Sequence, residues 1–488
     1  MLLPKLAALA LLLALGGCGA ATQYPNQPLA AGASNPAGQA LDIPPTRPAI
    51  VMSFSGGGSR AAALALFVLQ ELRRHPDGEP GRTLLDDVVV VSSVSGGSVT
   101  AAQFGLFGAA GLDRLVPDFL ALDNMATLEW QAANPVTWVR LVSGRYTRVQ
   151  VVRDLFDRQL FHGATFAQMV RPGAPMVILN ATDMGSGEVF AFTSERFNDI
   201  CSDMSALPVS VGVAASSAVP IVLSPVDLRN YAVGCTGNLP PAQWISDMLN
   251  KRYPRYLDIE ELKRARYANA LRHGPDAYRP IDYLHLLDGG LADNVGAHSL
   301  LDVLTSPHGS LRMLNAINTG TVRRIVVIEV NARSDPSNGL STQPETPGVL
   351  SMVNSVISNP IDAATAGNAT ELRTLLSELR DAASNAPPDA LLGGTRVYDI
   401  EVDFDQFLPD QTMLRDQVKN IPTAWTIKPA DIEALDQAAQ LLLHQHPCFQ
   451  VLLFDVHDPA GNTSDACPQP VPMVPRPPQR TAARTATR

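Results

Sequence analysis

Serine, glycine and aspartate recur in three short clusters whose residue types suit acyl transfer. The first is Ser93-Val94-Ser95-Gly96-Gly97. It nearly matches G-x-S-x-G, a strained strand-to-helix turn that pushes a serine Oγ into a cleft. Ser93 stands where that pattern has glycine, and Ser98, one turn into the next helix, is a weaker second nucleophile. The same letters also suit a plain Ser/Gly turn. The second cluster is Asp288-Gly289-Gly290-Leu291-Ala292-Asp293-Asn294. Its two glycines let the carboxylate approach another loop closely. An Asx turn is the plainer reading, and the spacing does not fit an EF-hand calcium loop. The third is Ser55-Gly56-Gly57-Gly58-Ser59-Arg60. Glycines between a strand and a helix expose N–H groups at the helix N-terminus, which suits an oxyanion or a phosphate. No Gly-Lys-Ser/Thr follows, which excludes a P-loop.

A serine hydroxyl is a weak nucleophile unless a base lies within hydrogen-bond reach. Asp288 is the candidate base. A carboxylate with an ordinary pKa near ~4 is a poor base at neutral pH, and partial burial raises it. A histidine-based triad is the alternative, since the chain has nine histidines. His285 precedes Asp288 by three residues, and in a strand those two positions point to opposite faces. His298 lies ten residues after Asp288, while His444 and His446 flank the apparent end of the last helix and suit capping. Asp293 and Asn294 read as loop-fixing residues.

These clusters need elements to position them. Pro48–Phe54 and Val88–Val91 read as buried strands, each running into a glycine-bearing turn and a helix. Val177–Asn180, Glu188–Thr193, Leu284–Leu287, Arg324–Val330 and Arg396–Phe404 read as further strands. Residues 112–170 look mostly helical, Val349–Ala383 reads as a helix interrupted near Pro360, and 429–444 as a last helix. Strands alternating with helices predict a parallel-leaning sheet covered on both faces. The three clusters fall at carboxyl ends of strands, where open α/β sheets bind ligands.

Taken together, the three clusters resemble the patatin-like phospholipase family. Further matches are Asn180-Ala181-Thr182-Asp183 followed by Gly187-Glu188, and Ala214-Ala215-Ser216-Ser217-Ala218-Val219-Pro220. The resemblance covers roughly 48–330, with a looser continuation towards 457. It implies a three-layer α/β/α sandwich with a central, mostly parallel sheet. It also implies a lipid acyl hydrolase of the phospholipase A or lysophospholipase type, acting on phospholipid or another acyl ester. The family's Ser–Asp dyad maps to Ser95 as nucleophile and Asp288 as base, with Gly56, Gly57 and Gly58 as oxyanion hole. Arg60, Gly97, Gly289 and Gly290 fall in supporting positions, Arg60 organising the glycine loop or compensating charge, or else making a helix-start salt bridge. Such a dyad needs no metal and no cofactor. A general carboxylesterase or thioesterase with the same site, and a non-catalytic envelope lipoprotein, are the alternatives.

Met1–Ala20 has one lysine, an apolar run from Leu6 to Leu15, and then small residues. That is the layout of a secretory signal, and the run is too short for a membrane span, which needs ~20 apolar residues. Leu15-Gly16-Gly17-Cys18 resembles the lipobox of bacterial lipoproteins, which implies cleavage after residue 17 and acyl chains on Cys18. Gly19 after the cysteine, in place of aspartate, leans towards the outer membrane. The expected organisation is a signal peptide at 1–17, a flexible tether at 18–47 and a hydrolase domain at 48–467 with a helical insertion near 247–278. A Pro/Arg-rich disordered tail follows at 468–488. Export would put Cys201, Cys235, Cys448 and Cys467 in an oxidising compartment. Three pairings are possible. The local ones, Cys201–Cys235 and Cys448–Cys467, close the shortest loops, each worth roughly 3 kcal/mol. Buried free thiols are the alternative. The net charge of −10 and the absence of a basic stripe in the body of the chain argue against nucleic acid as a partner.

Overall fold

In this computed structural model the described residues are 24–36, 43–44, 46–143, 146–171, 173–235, 242–251, 259–275, 279–305, 317, 320–334, 349–387, 390, 392–457 and 467. The expected signal peptide, Cys18 and the tail at 468–488 lie outside them. Among the described residues ten strands are formed: β1 (Gln27–Pro28), β2 (Pro48–Phe54), β3 (Val88–Val94), β4 (Met176–Asp183), β5 (Val189–Ala191), β6 (Ser202–Asp203), β7 (Val226–Arg229), β8 (Tyr283–Asp288), β9 (Arg324–Asn331) and β10 (Arg396–Asp403). The central sheet runs β10-β9-β2-β3-β4-β8-β7, with β5 paired to β4. From β10 through β4 every pairing is parallel. β5, β8 and β7 add antiparallel pairings at the other edge.

The helices that bear on the site are α1 (Gly58–Arg74), α2 (Gly96–Phe107), α3 (Asn124–Ala133), α4 (Pro135–Val142), α5 (Arg148–Phe156), α6 (Val209–Ser216), α7 (Gln243–Leu249), α8 (Ile259–His273), α9 (Ala297–Thr305), α10 (Val349–Asn385), α11 (Pro429–Gln445) and α12 (Pro447–His457). They cover both sheet faces. On β2, Ile50, Met52 and Phe54 join the core shared with α1, α2 and α11, while Ala49 and Val51 join the core shared with α9 and α10. Central strands buried on both faces read as unbroken apolar runs, which is why β2 and β9 stand out in the sequence. The result is a three-layer α/β/α sandwich. Among the described residues no helix is long and apolar enough to cross a membrane.

Three local features depart from the sequence reading. Residues 24–36 fall inside the stretch read as a flexible tether, yet they are docked. β1 pairs with β6, Tyr24 stacks on Tyr283 at 5.3 Å, and Asn26 and Asn35 are buried. The Asn26 amide donates to Ser202 Oγ and the Arg229 carbonyl, and Asn35 donates to the Ser202 carbonyl. Two asparagine side chains thus complete a two-residue ladder that has no apolar signature. α10 runs unbroken through Pro360, since a long helix tolerates the single hydrogen bond that proline removes. β7 (Val-Asp-Leu-Arg) is a short edge strand with only two buried positions, too weak a pattern to read. The helical insertion consists of α7 and α8, packed on one another through Ile245, Met248, Ala265 and Ala268. Cys201 meets Cys235, and Cys448 meets Cys467, at disulfide distance, with Cα separations of 6.2 and 4.9 Å.

Candidate active site

β2, β3 and β8 deliver the three clusters to one place. Ser95 is the N-cap of α2, with φ of 49° and ψ of −116°. A non-glycine residue there is strained, and such strain persists only where its surroundings over-determine it. The surroundings do so here. The Ser95 N–H donates to Ser216 Oγ at 2.9 Å, and Ser216 Oγ in turn donates to the Asn180 carbonyl at 2.6 Å. Asn180 Nδ2 donates to Ser92 Oγ and the Ser93 carbonyl, while its Oδ1 accepts from Ser299 Oγ. Ser93 Oγ donates to the Ile178 carbonyl at 3.1 Å, so serine at the pattern's glycine position is used to tie β3 to β4. Ser98 is buried in this network, bonded to Ser93 Oγ and 2.9 Å from Ser216 Oγ. That removes it as a nucleophile.

Asp288 ends β8. Its N–H donates to the Ala218 carbonyl, and Thr182 Oγ1 donates to its carbonyl at 2.8 Å. The turn it opens needs glycine: a Cβ on Gly289 would lie 2.2 Å from the Asn180 carbonyl oxygen. The Asp288 carboxylate accepts from the Gly290 N–H at 2.9 Å, with the Ser95 side chain beside it. Burial pushes its pKa up to about 6, against the downward pull of the Gly290 N–H and the neighbouring Ser95 side chain. Ser95 and Asp288 are only 6% and 7% exposed. No histidine is among the groups that move the Asp288 pKa. His285 instead bonds Asp227 at 2.6 Å on the outer side of β8. His446 caps α11, and His444 bonds Glu71. Asp293 accepts from the N–H groups of Val295, Gly296 and His298, the loop-fixing role expected of it.

The glycine loop closes over Ser95. A Cβ on Gly56 would lie 3.3 Å from Ser95 Cβ, and one on Gly96 would strike the Gly58 carbonyl oxygen at 2.0 Å. One expectation needs correction. Gly56 was assigned to the oxyanion hole, but its N–H already donates to the Asn294 carbonyl at 2.9 Å. Gly57 and Gly58, with φ of 140° and 61°, carry the remaining amides at the start of α1. A Cβ on Gly97 would strike the Phe54 and Ser55 carbonyl oxygens, so close packing explains that glycine. Arg60 is buried. Its guanidinium donates to the Ala332 and Ile421 carbonyls and to the hydroxyls of Ser334 and Thr423. All four partners are neutral, so Arg60 ties the loop down and makes no helix-start salt bridge. Burial lowers its pKa to about 10, which leaves it charged at neutral pH just behind Gly57. A hydroxyl beside a partly basic carboxylate, with free amides and a buried cation behind them, suits nucleophilic attack on a carbonyl.

Ser216 and Thr182 are the functional positions that single-motif reading misses. Both lie in the secondary matches around 180–183 and 214–220, and only the folded chain shows why: they hold the Ser95 and Asp288 turns from below.

A family model described as patatin-like phospholipase matches residues 52–301, just over half of the 488. No curated protein matches the chain. Among solved structures, human GIVD cytosolic phospholipase A2 is similar at 13% identity with a TM-score of 0.41, over 84% of this chain and 60% of that one. The same protein in complex with methyl gamma-linolenyl fluorophosphonate is similar at 11% identity with a TM-score of 0.37, over the same shares.

Proposed function

Because this chain belongs to the patatin-like phospholipase family, we propose that it is a lipid acyl hydrolase working through an acyl-enzyme on Ser95. The observation that carries the reading is Ser95, held in a strained turn under the glycine loop beside the buried Asp288 carboxylate whose pKa it helps to lower. Ser95 Oγ attacks the ester carbonyl while Asp288 takes its proton. The oxyanion is met by the Gly57 and Gly58 N–H groups, with the Arg60 charge behind them. The tetrahedral species collapses, and the leaving alcohol takes the proton from Asp288. A water then gives a proton to Asp288 and attacks the acyl group. Collapse releases the fatty acid, and Ser95 recovers its proton.

Phospholipid is the first substrate class, of the phospholipase A or lysophospholipase type. Exposed apolar side chains near the site favour it over small soluble esters. Trp130 and Val139 are 72% and 71% exposed, and Val136, Val142, Ile221 and Val222 are exposed with them. α3 reaches the site's rim through Asn124 and Met125, which bond Trp425 and Thr426 beside the Ala424 that touches Gly58. Ile221 lies three residues after Ala218, the partner of Asp288. We place the chain in a bacterial cell envelope, held by acyl chains on Cys18, with the outer membrane as the first site to examine.

The test is fatty-acid release from phospholipid vesicles and hydrolysis of a short-chain p-nitrophenyl ester. Folded Ser95→Ala and Asp288→Asn are each expected to lose about 10³-fold or more. Activity on the ester but not on vesicles favours the general esterase or thioesterase. Equal inactivity of all three proteins on both substrates favours a non-catalytic lipoprotein. Loss in Ser95→Ala alone removes Asp288 as the base.

A further inference from the structure

At the far end of α1 from the glycine loop, three metal-ligating side chains meet. Glu71 lies in the last turn of α1, and His75 is its C-cap. His444 lies in the last turn of α11. The two Nε2 atoms converge on a single oxygen: Glu71 Oε1 is 3.2 Å from His75 and 2.7 Å from His444, and all three ligand atoms lie within 4.8 Å of one another. We propose that Glu71, His75 and His444 form a binding site for a zinc-type divalent cation that clamps α1 to α11.

The chemistry of the set is selective. Two imidazoles and one carboxylate suit zinc and neighbouring transition metals, whereas calcium and magnesium prefer oxygen donors. Three protein ligands leave a fourth tetrahedral position for water. The outer contacts orient the donors as metal sites require. Arg74 binds the other carboxylate oxygen, Glu71 Oε2, and so leaves Oε1 as a single ligand. Phe449 packs edge-on against both rings, with centroids 5.4 and 5.8 Å from His75 and His444. Access is also provided. The Glu71 side chain is 5% exposed and the His444 side chain 42%, so the carboxylate is shielded while one imidazole reaches solvent. The ligands stand closer together than around a bound ion, because they now share hydrogen-bond protons. Binding would move each imidazole proton to Nδ1 and spread the three atoms slightly.

The site is independent of the dyad. α1 has 17 residues, so its ends stand roughly 25 Å apart. The cation is therefore expected to act on stability and not on the chemical step.

The experiment strips the purified protein with a chelator and titrates it with zinc chloride by calorimetry. Wild type, His75→Ala and His444→Ala are compared, each checked for folding by circular dichroism. The expected result is one zinc per chain in wild type, bound at least tenfold more weakly in each variant. Zinc should also raise the Tm of wild type but of neither variant, with ester hydrolysis unchanged. Cobalt in place of zinc should give visible absorption bands typical of tetrahedral nitrogen and oxygen ligation in wild type alone. No zinc uptake by wild type overturns the proposal, as does equal affinity or an equal Tm rise in the two variants.

Discussion

Beneath Ser95, a web of buried hydroxyls and amides crosses from β3 to β4, α6 and α9, while α4, which follows α3, buries no side chain at all. α3 buries only Asn124. The floor is built from short polar bonds that permit one arrangement, and the strained φ of Ser95 depends on them. The α3–α4 pair presents tryptophan and valine to solvent and is joined to the body mainly at its start, where Asn124 and Met125 bond Trp425 and Thr426. α8, the other helical excursion, behaves like the floor: Arg272 pairs with Asp199, Arg264 with Asp302, and the Tyr267 hydroxyl bonds Asp183. The difference teaches that a nucleophile needs preorganisation, while the approach to an aggregated substrate needs adaptable apolar surface. Of the two helical excursions, the α3–α4 pair is the more lightly packed.

The largest effect that would sharpen this contrast is on stability. The Asp288 pKa is raised by burial from 3.8 to about 6, so ionisation costs the folded state stability as pH rises through that interval. The cost is absent below the unfolded value and complete above pH 6, where it amounts to about 3 kcal/mol. Asp288→Asn should therefore resist urea better than wild type at pH 8, by up to that amount, and equally at pH 3.5. An unchanged difference across pH would mean the floor does not hold a destabilised carboxylate. Next comes Ser216→Ala, which leaves the Ser95 N–H without its partner. It should lower kcat by about 100-fold and destabilise by about 1–3 kcal/mol. Unaltered kcat would show that the strained turn holds itself.

Smaller is the pH dependence of turnover. Asp288 must be ionised to accept a proton, so kcat/KM should fall about tenfold per pH unit below 6 and level off above it. A profile flat from pH 4.5 to 8 would break the link between burial and basicity. Smallest is the α3–α4 pair: Trp130→Ser with Val139→Ser should reduce release from vesicles about fivefold and leave the soluble ester untouched. Equal losses on both substrates would place those residues in the floor's machinery.

The sheet and the turns that carry Ser95 and Asp288 were legible because they have strong patterns: apolar runs buried on two faces, and glycines where backbones must approach. β2 and the strand ending at Asp288 appear where the sequence places them. What escaped has weaker signatures. Gly56 has the right residue type for the oxyanion hole, but whether its amide is free depends on Asn294, which lies 238 positions away in sequence (294 minus 56). Ser216 is one serine of two adjacent ones, and only tertiary packing selects it. The Glu71–His444 contact joins helices that no local spacing relates. The docked residues 24–36 have the composition of a linker, because asparagine side chains and not apolar burial fix them.

That docking changes how a membrane anchor would act. If acyl chains sit on Cys18, the distance from them to a docked residue is counted to Tyr24, stacked on Tyr283, and not to a residue near 47. Six residues (24 minus 18) reach at most about 20 Å. Tyr283 opens β8, which runs antiparallel to β4 with Leu286 opposite Asp183, so Tyr283 extends past the carboxyl end of β4, on the side where Ser95 opens. A leash that short sets heading as well as distance: the enzyme would ride close to the bilayer with its catalytic side turned towards the lipids that hold it.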